Sequence, residues 1–167
     1  MLGAKSDQNR RKQRYLDDDS NESGVKTRLV VGTIPYNDAG LILMINSRKY
    51  PEEWLFPKGG WDHDESAMQG AERETWEEAG VTGSAEKEIL TGEIVSGGKE
   101  LQQHSYFAFK ILEWKEEWPE QHERDRRLFT AEEARELLKK QGRRKDRFAV
   151  LKALDSFMLV SPASVCP

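Results

Sequence analysis

Apolar positions along the chain change their spacing several times, and each change marks an element. Arg28 to Ile34 is rich in β-branched residues and Leu41 to Ile45 is continuously apolar, with the turn signal Asn37-Asp38-Ala39-Gly40 between them. The pair reads as a β-hairpin. Trp54-Leu55-Phe56-Pro57 reads as a short strand closed by proline, and Lys58-Gly59-Gly60 as a flexible loop leading into a helix from about Glu65 to Ala79. On that helix Met68, Ala71, Thr75 and Ala79 form an apolar stripe, and Gly80 supplies the stop. Strand-like segments follow around Ile89 to Val95 and His104 to Leu112, the second alternating in part at Tyr106, Ala108 and Lys110. Thr130 with Glu133 forms a capping box opening a helix to Lys140, and Asp146 to Leu159 reads as another helix with Phe148, Leu151, Leu154 and Met158 as its stripe.

Strands and helices alternating irregularly, with no internal repeat, predict an α/β (α+β) fold: a mixed β-sheet sandwich flanked by α-helices. At 167 residues the chain supports one domain, expected over residues 25–160. Residues 1–24 hold almost no apolar side chains to offset their ordering entropy and are expected to be a disordered tail, as are residues 161–167. The basic run Arg10-Arg11-Lys12-Gln13-Arg14 reads as a solvated stretch of that tail. No run of eighteen apolar residues is present and the first twenty are charged, so neither a membrane span nor a secretory signal is expected. Cys166 is the only cysteine, which excludes an intrachain disulfide and fits a reducing compartment such as the cytoplasm. A net charge of -4 argues against a stable nucleic-acid partner held by overall charge. A monomer is favoured.

The chemistry concentrates in Gly59-Gly60-Trp61-Asp62-His63-Asp64-Glu65, seven intervening residues, then Arg73-Glu74-Thr75-Trp76-Glu77-Glu78-Ala79-Gly80-Val81. On a helix Glu74, Glu77 and Glu78 stand at i, i+3 and i+4, so their carboxylates share one strip of surface. Like charges at that spacing cost a bare helix a few tenths of a kcal/mol per pair. A compensating cation is the natural explanation, and hard oxygen ligands without His or Cys in the triplet specify Mg²⁺, or Mn²⁺ in its place.

The segment resembles the signature box of the Nudix hydrolases, Gly-x5-Glu-x7-Arg-Glu-U-x-Glu-Glu-x-Gly-U, at all seven fixed positions. At roughly 7% usage each, that is on the order of one chance in 10⁸ per start position. Thr75 departs from the pattern, standing where a bulky aliphatic residue is usual. The resemblance implies that Glu74 and Glu78 bind the metal, with a backbone carbonyl near Gly59 completing its shell. Glu77 becomes the candidate general base or a further metal ligand, Arg73 orients the glutamates by ion pairing and Glu65 supports the helix.

Trp54 to Glu65 together with Glu74 to Val81 looks like the diphosphoinositol polyphosphate phosphohydrolase branch of that family, a resemblance covering roughly Lys26 to Leu154. It implies a small polyanionic substrate: a diphosphoinositol polyphosphate, or a dinucleoside polyphosphate. Such ligands demand convergent cations. By the same resemblance Lys26, Arg28, Ser47, Arg48, Lys49 and Lys58 line the phosphate site. His104, Arg124 and Arg126 are further candidates, Arg143, Arg144 and Lys145 would make a flexible clamp, and His63 and His122 are read as surface residues. Two other readings stand beside the inositol one: a nucleotide-directed hydrolase acting on diadenosine polyphosphate, ADP-ribose, NADH or an RNA cap, and a non-enzymatic phosphate sensor. The nucleotide reading needs a base-stacking aromatic, for which Trp61, Trp76, Trp114 and Trp118 are available although core or surface packing suits each better. Retention of all three glutamates argues against the sensor.

Overall fold

A computed structural model describes residues 14–16, 26–96 and 100–161. Its strands are β1 (Tyr15–Leu16), β2 (Thr27–Tyr36), β3 (Ile42–Asn46), β4 (Trp54–Leu55), β5 (Lys58–Gly60), β6 (Val81–Ser96), β7 (Leu101–Trp114) and β8 (Arg126–Phe129). Its helices are α1 (Ala67–Ala79), α2 (Ala131–Lys140) and α3 (Arg147–Val160). The main sheet runs β4-β3-β2-β7-β6, with β1 and β5 also on β2 and β8 on β3. β2 and β7 are parallel, and the other pairs antiparallel.

The continuous apolar runs are explained by strands buried on both faces. In β3, Leu43 and Ile45 join one core with Val31, Phe107 and Phe109 under α1; Ile42 and Met44 join the other with Ile34, Tyr106 and Ala108 under α2 and α3. Period two thus splits one strand between two cores. The expected mixed sheet with helices on both sides is what the chain forms.

Several expectations need correction. Lys58-Gly59-Gly60 is not a flexible loop but strand β5, paired antiparallel with Val30 to Gly32. Glycine permits the approach: a Cβ on Gly32 would lie 2.6 Å from the Pro57 carbonyl oxygen and 2.8 Å from Lys58 Cβ. Helix α1 starts at Ala67 rather than about Glu65, because Ser66 and Gln69 close a capping box on each other's backbone N–H groups. In α3 Leu154 is buried and Leu151 and Met158 pack against the core as expected, but Phe148 does not belong to that face. Phe148 is 70% exposed, and Ala149, Val150, Ala153, Leu154 and Phe157 face the core. A helix with ten apolar residues in fourteen offers a wide apolar face, and the small side chains of Ala149 and Ala153 let it approach the sheet. Met68 is likewise an exposed end of the α1 stripe, whereas Ala71, Thr75 and Ala79 are fully buried.

The expected tail is entered by structure as well. Tyr15 and Leu16 pair with Arg28 and Thr27. Arg14, read as part of a solvated run, stacks its guanidinium 4.2 Å from the Trp61 ring centroid and donates to the carbonyls of Asp62, His63 and Glu65. Arg10 to Gln13 and Cys166 lie outside the described residues.

Candidate active site

Helix α1 is fixed by the residue that breaks the expected pattern. Thr75 Oγ1 donates to the Ala71 carbonyl at 2.7 Å and meets Thr33 Oγ1 of β2 at 2.6 Å, both side chains being fully buried. With Ala71 and Ala79 beside it, this contact seats α1 on β2 and turns the glutamates toward β5 and the 116–125 loop. At the other end Gly80 adopts φ 66 and returns its N–H to the Trp76 carbonyl, a left-handed cap that a side chain would strain. Arg126 then donates to the carbonyls of Ala79, Gly80 and Lys115 at 3.1, 2.9 and 2.9 Å. A cation at a helix C-terminus complements the dipole.

Arg73 gathers the acidic groups. Its guanidinium donates to both Glu65 oxygens at 3.0 and 2.8 Å, to Glu74 Oε1 at 2.8 Å, to Glu77 Oε2 at 3.4 Å and to the Gly60 carbonyl at 2.9 Å. Glu74 sits directly over Gly59, where its carboxyl group fills the space a Cβ would take. Glu78 receives the Lys58 backbone N–H at 3.2 Å and the Arg124 guanidinium at 3.2 Å.

Burial dominates the protonation of this strip. It pushes the carboxyls of Glu74 and Glu78 up to about 7, working against Arg73 and Arg124 respectively. Glu77 is raised by the same cause. Desolvation also acts on Glu65, but hydrogen bonds from Arg73 and the Asp62 N–H outweigh it and lower that carboxyl. Two buried carboxylates that resist ionisation near neutrality call for a further positive charge. The donors available are hard oxygens beside a strand carbonyl at Gly59, which fits Mg²⁺ or Mn²⁺. Among the described residues no three His, Cys, Asp or Glu side chains converge as a ready-made metal cluster; the glutamates are partnered by Arg73 and Arg124.

The expected phosphate ligands separate into two groups. Ser47, Lys49, Lys58, Arg143, Arg144 and Lys145 line one cleft of about 380 Å³, next to the strand that carries Gly59. Lys26 immediately precedes β2 and Arg28 is its second residue, in register with Gln102 of the cleft wall. Arg48 is exposed and pairs with Glu123 at 3.1 Å.

The others are occupied elsewhere. His104 is fully buried and its imidazole is pushed down to about 4, by burial first and then by Lys58, so it is neutral and presents no cation. Arg124 is only 8% exposed, its donors spent on Glu78, Glu120 and the Asn46 carbonyl. Arg126 closes the helix end and lies 4.0 Å from the Trp118 ring centroid and 5.0 Å from that of Trp114. Arg144 is no flexible clamp either: both its Nε and Nη2 bind the Asp146 carboxylate, at 2.9 and 2.7 Å. His63 and His122 are exposed, as expected.

Sequence reasoning missed Glu120 and Asp146. Glu120 binds Arg124 Nε at 2.6 Å, and its N–H donates to the Glu77 carbonyl at 3.1 Å. Its one sequence signal is the i,i+4 spacing to Arg124. A larger depression of about 530 Å³ lies along α1, lined by Asp64, Glu65, Gln69, Glu72, Arg73 and Trp76, with Arg73 already engaged by Glu65, Glu74 and Glu77. Its acidic wall does not suit a polyanion.

The model of the NUDIX domain matches residues 26–151. This chain belongs to the Nudix family. It is 38% identical over 120 residues to Nudix hydrolase 18, mitochondrial, of Arabidopsis thaliana, covering 65% of this chain and 68% of that protein. Nudix hydrolase 16, mitochondrial, of the same plant is 34% identical over 145 residues, covering 75% and 76%. Diphosphoinositol polyphosphate phosphohydrolase 3-alpha of Mus musculus is 31% identical over 100 residues, covering 58% and 59%. Matches of similar length span a smaller share of other plant relatives, 65% of Nudix hydrolase 17, mitochondrial, and 58% of Nudix hydrolase 4, both of Arabidopsis thaliana. A NUDIX hydrolase from Nitrosomonas europaea shares the fold with a TM-score of 0.66 at 15% identity, over 78% of this chain and 88% of that one. Nudix enzymes hydrolyse small phosphate-containing substrates, generally with Mg²⁺ or Mn²⁺. No helix among the described residues is long and apolar enough to cross a membrane.

Proposed function

We propose that this Nudix hydrolase cleaves the phosphoanhydride of diphosphoinositol polyphosphates, releasing phosphate. The observation that carries the substrate reading is the cleft presenting Lys49, Lys58, Arg143, Arg144 and Lys145 beside the acidic helix. Such a density of cations suits a compact ligand covered in phosphates, each matched by charge-assisted hydrogen bonds. Lys58 joins recognition to chemistry, because its side chain lines the cleft while its N–H holds Glu78. Lys26 and Arg28 extend the basic surface along β2, with Ser47 as a hydroxyl donor in the cleft itself.

The nucleotide reading loses most of its aromatic candidates. Trp61 is stacked under Arg14, and Trp114 and Trp118 under Arg126. Trp76 is exposed, in a depression whose other lining includes Asp64, Glu65 and Glu72. Similarity to the mouse phosphohydrolase supports the inositol reading, and the plant relatives carry only the family name.

In this reading Glu74, Glu78 and the Gly59 carbonyl hold a Mg²⁺ or Mn²⁺ ion, which when bound screens phosphate charge and acidifies water. Glu77, half-exposed and with its carboxyl raised by burial, accepts the proton of the attacking water. Arg73 keeps Glu74 and Glu77 in place from the side of Glu65, and Arg124 favours the ionised form of Glu78.

The test is phosphate release with Mg²⁺ from diphosphoinositol pentakisphosphate, diadenosine polyphosphate, ADP-ribose and capped RNA, for wild type and Glu77→Gln. Efficient release from the inositol substrate is expected, with a loss of about 10²- to 10⁴-fold in the variant. Release confined to nucleotides would overturn the substrate reading, and an unimpaired variant would overturn the role of Glu77.

A further inference from the structure

The floor of the cationic cleft already contains an anion. Asp146 stands at the N-cap of α3, yet its side chain makes no capping hydrogen bond to that helix. An N-cap aspartate ordinarily accepts from its own helix. Here the carboxylate is turned away, accepting two hydrogen bonds from Arg144 and lying 3.6 Å from Lys58 Nζ. The Asp146 and Arg144 side chains are only 8% and 14% exposed. Burial alone would raise this carboxyl, but Lys58 and Arg144 hold it below its ordinary value, so it is charged across the physiological range. Lys49, Arg143 and Lys145 sit exposed at the rim, so the two least exposed of the cleft's five cations are those that Asp146 occupies.

We propose that Asp146 is a resident competitor for ligand phosphate: it neutralises Lys58 and Arg144 in the free enzyme, shares them when a polyanion enters, and recaptures them as the product leaves. The inference rests on the reading of this cleft as a polyanion site. Its consequence for turnover follows from the chemistry. Removing one phosphate from a densely phosphorylated ring leaves a product almost as anionic as the substrate. A cleft with every cation free would hold that product nearly as firmly, and a buried carboxylate beside two of those cations weakens its grip. The opposite role is physically distinct: were Asp146 chiefly a bracket presenting Arg144 to phosphate, its removal would weaken binding.

The experiment is calorimetric titration of inositol hexakisphosphate into wild type, Asp146→Asn and Asp146→Ser, with Glu52→Gln as control. Serine retains a favourable N-cap, so a folded, neutral variant is available should asparagine destabilise α3. Glu52 is exposed and pairs with Arg143 at 3.2 Å, so its loss removes one nearby charge without touching Lys58 or Arg144. Both Asp146 variants should bind the hexakisphosphate about fivefold or more tightly, as for the removal of one close like charge. Glu52→Gln should change affinity by less than about twofold, as expected for a screened surface charge. Unchanged or weaker binding by folded Asp146 variants, or equal tightening by Glu52→Gln, would overturn the proposal. Absence of binding to wild type would instead overturn the polyanion reading of the cleft, and this inference with it.

Discussion

The hydroxyl pair Thr33 and Thr75 gives the sharpest quantitative test of how the acidic helix is seated. Thr75→Val keeps the shape of the side chain and removes its oxygen. The Thr33 hydroxyl, fully buried, then loses its bond to Thr75, its one side-chain partner among the described residues, whereas the Ala71 carbonyl still accepts within the helix. Leaving a buried donor unmatched costs about 1–3 kcal/mol. Thr33→Val acts differently, because Thr75 continues to donate to Ala71, and the loss should be about 0.5–1.5 kcal/mol. In the double variant neither hydroxyl remains, and two β-branched methyl groups meet in a dry contact. Replacing both partners by apolar groups of the same shape is close to neutral.

The signature is therefore a coupling of at least about 1 kcal/mol, with the double variant more stable than Thr75→Val alone. Urea unfolding of the metal-free protein at pH 7 measures it as a shift in midpoint at unchanged slope. For a chain of this size, 1 kcal/mol corresponds to roughly 2–4 °C in Tm. Two results refute the reasoning: Thr75→Val indistinguishable from wild type, or losses that simply add in the double variant. Either would mean that the threonine pair does not seat the helix.

Two further expectations follow from the same site. Arg126→Ala removes donors to three carbonyls and a cation stacked on Trp118, so thermal unfolding should show a loss of about 2–4 kcal/mol; an unchanged midpoint would show the helix end to be satisfied without it. Glu74 and Glu78 ionise near 4.5 unfolded and near 7 folded, so the folded state binds their protons more tightly. Well below pH 4.5 both states are protonated and stability is unaffected; between about pH 4.5 and 7 only the unfolded state releases these protons, so stability falls across that window and levels off above about 7. Glu74→Gln should accordingly stabilise the chelator-treated protein at pH 8, by on the order of 2–3 kcal/mol, and barely at pH 4.5. Melting curves at both pH values, with EDTA, would contradict this if the gain were equal or reversed.

The fold was legible where spacing constrains it. The acidic strip, its glycine stop and the apolar runs of β2 and β3 follow from period and turn chemistry, because a strand buried on both faces and a helix with one dry stripe have few alternatives. Two elements were misread for opposite reasons. Glycines at Lys58-Gly59-Gly60 signal freedom in sequence, yet the segment is a strand on β2, where Gly59 leaves room for the Glu74 carboxyl and Gly32 lets β5 approach. In α3 ten of the fourteen residues are apolar, so the sequence permits a wide face and packing against the sheet decides which of them it buries.

The site shows a more general asymmetry between acids and bases. Glu74, Glu77 and Glu78 were identifiable because three like charges on one helical strip require an outside partner, and that requirement is visible in local spacing. Arginines carry no such signature. Arg124 and Arg126 are equally good phosphate ligands on paper, but each is committed over a long sequence separation: to Glu78 across 46 residues and to Ala79 across 47. What decides between ligand and scaffold is whether a buried carbonyl or carboxylate already stands within reach of the guanidinium. That makes commitment, rather than charge, the quantity to measure: Arg124 and Arg126 stabilise the chain in the absence of any ligand, whereas the cations of the cleft should matter mainly when phosphate is bound.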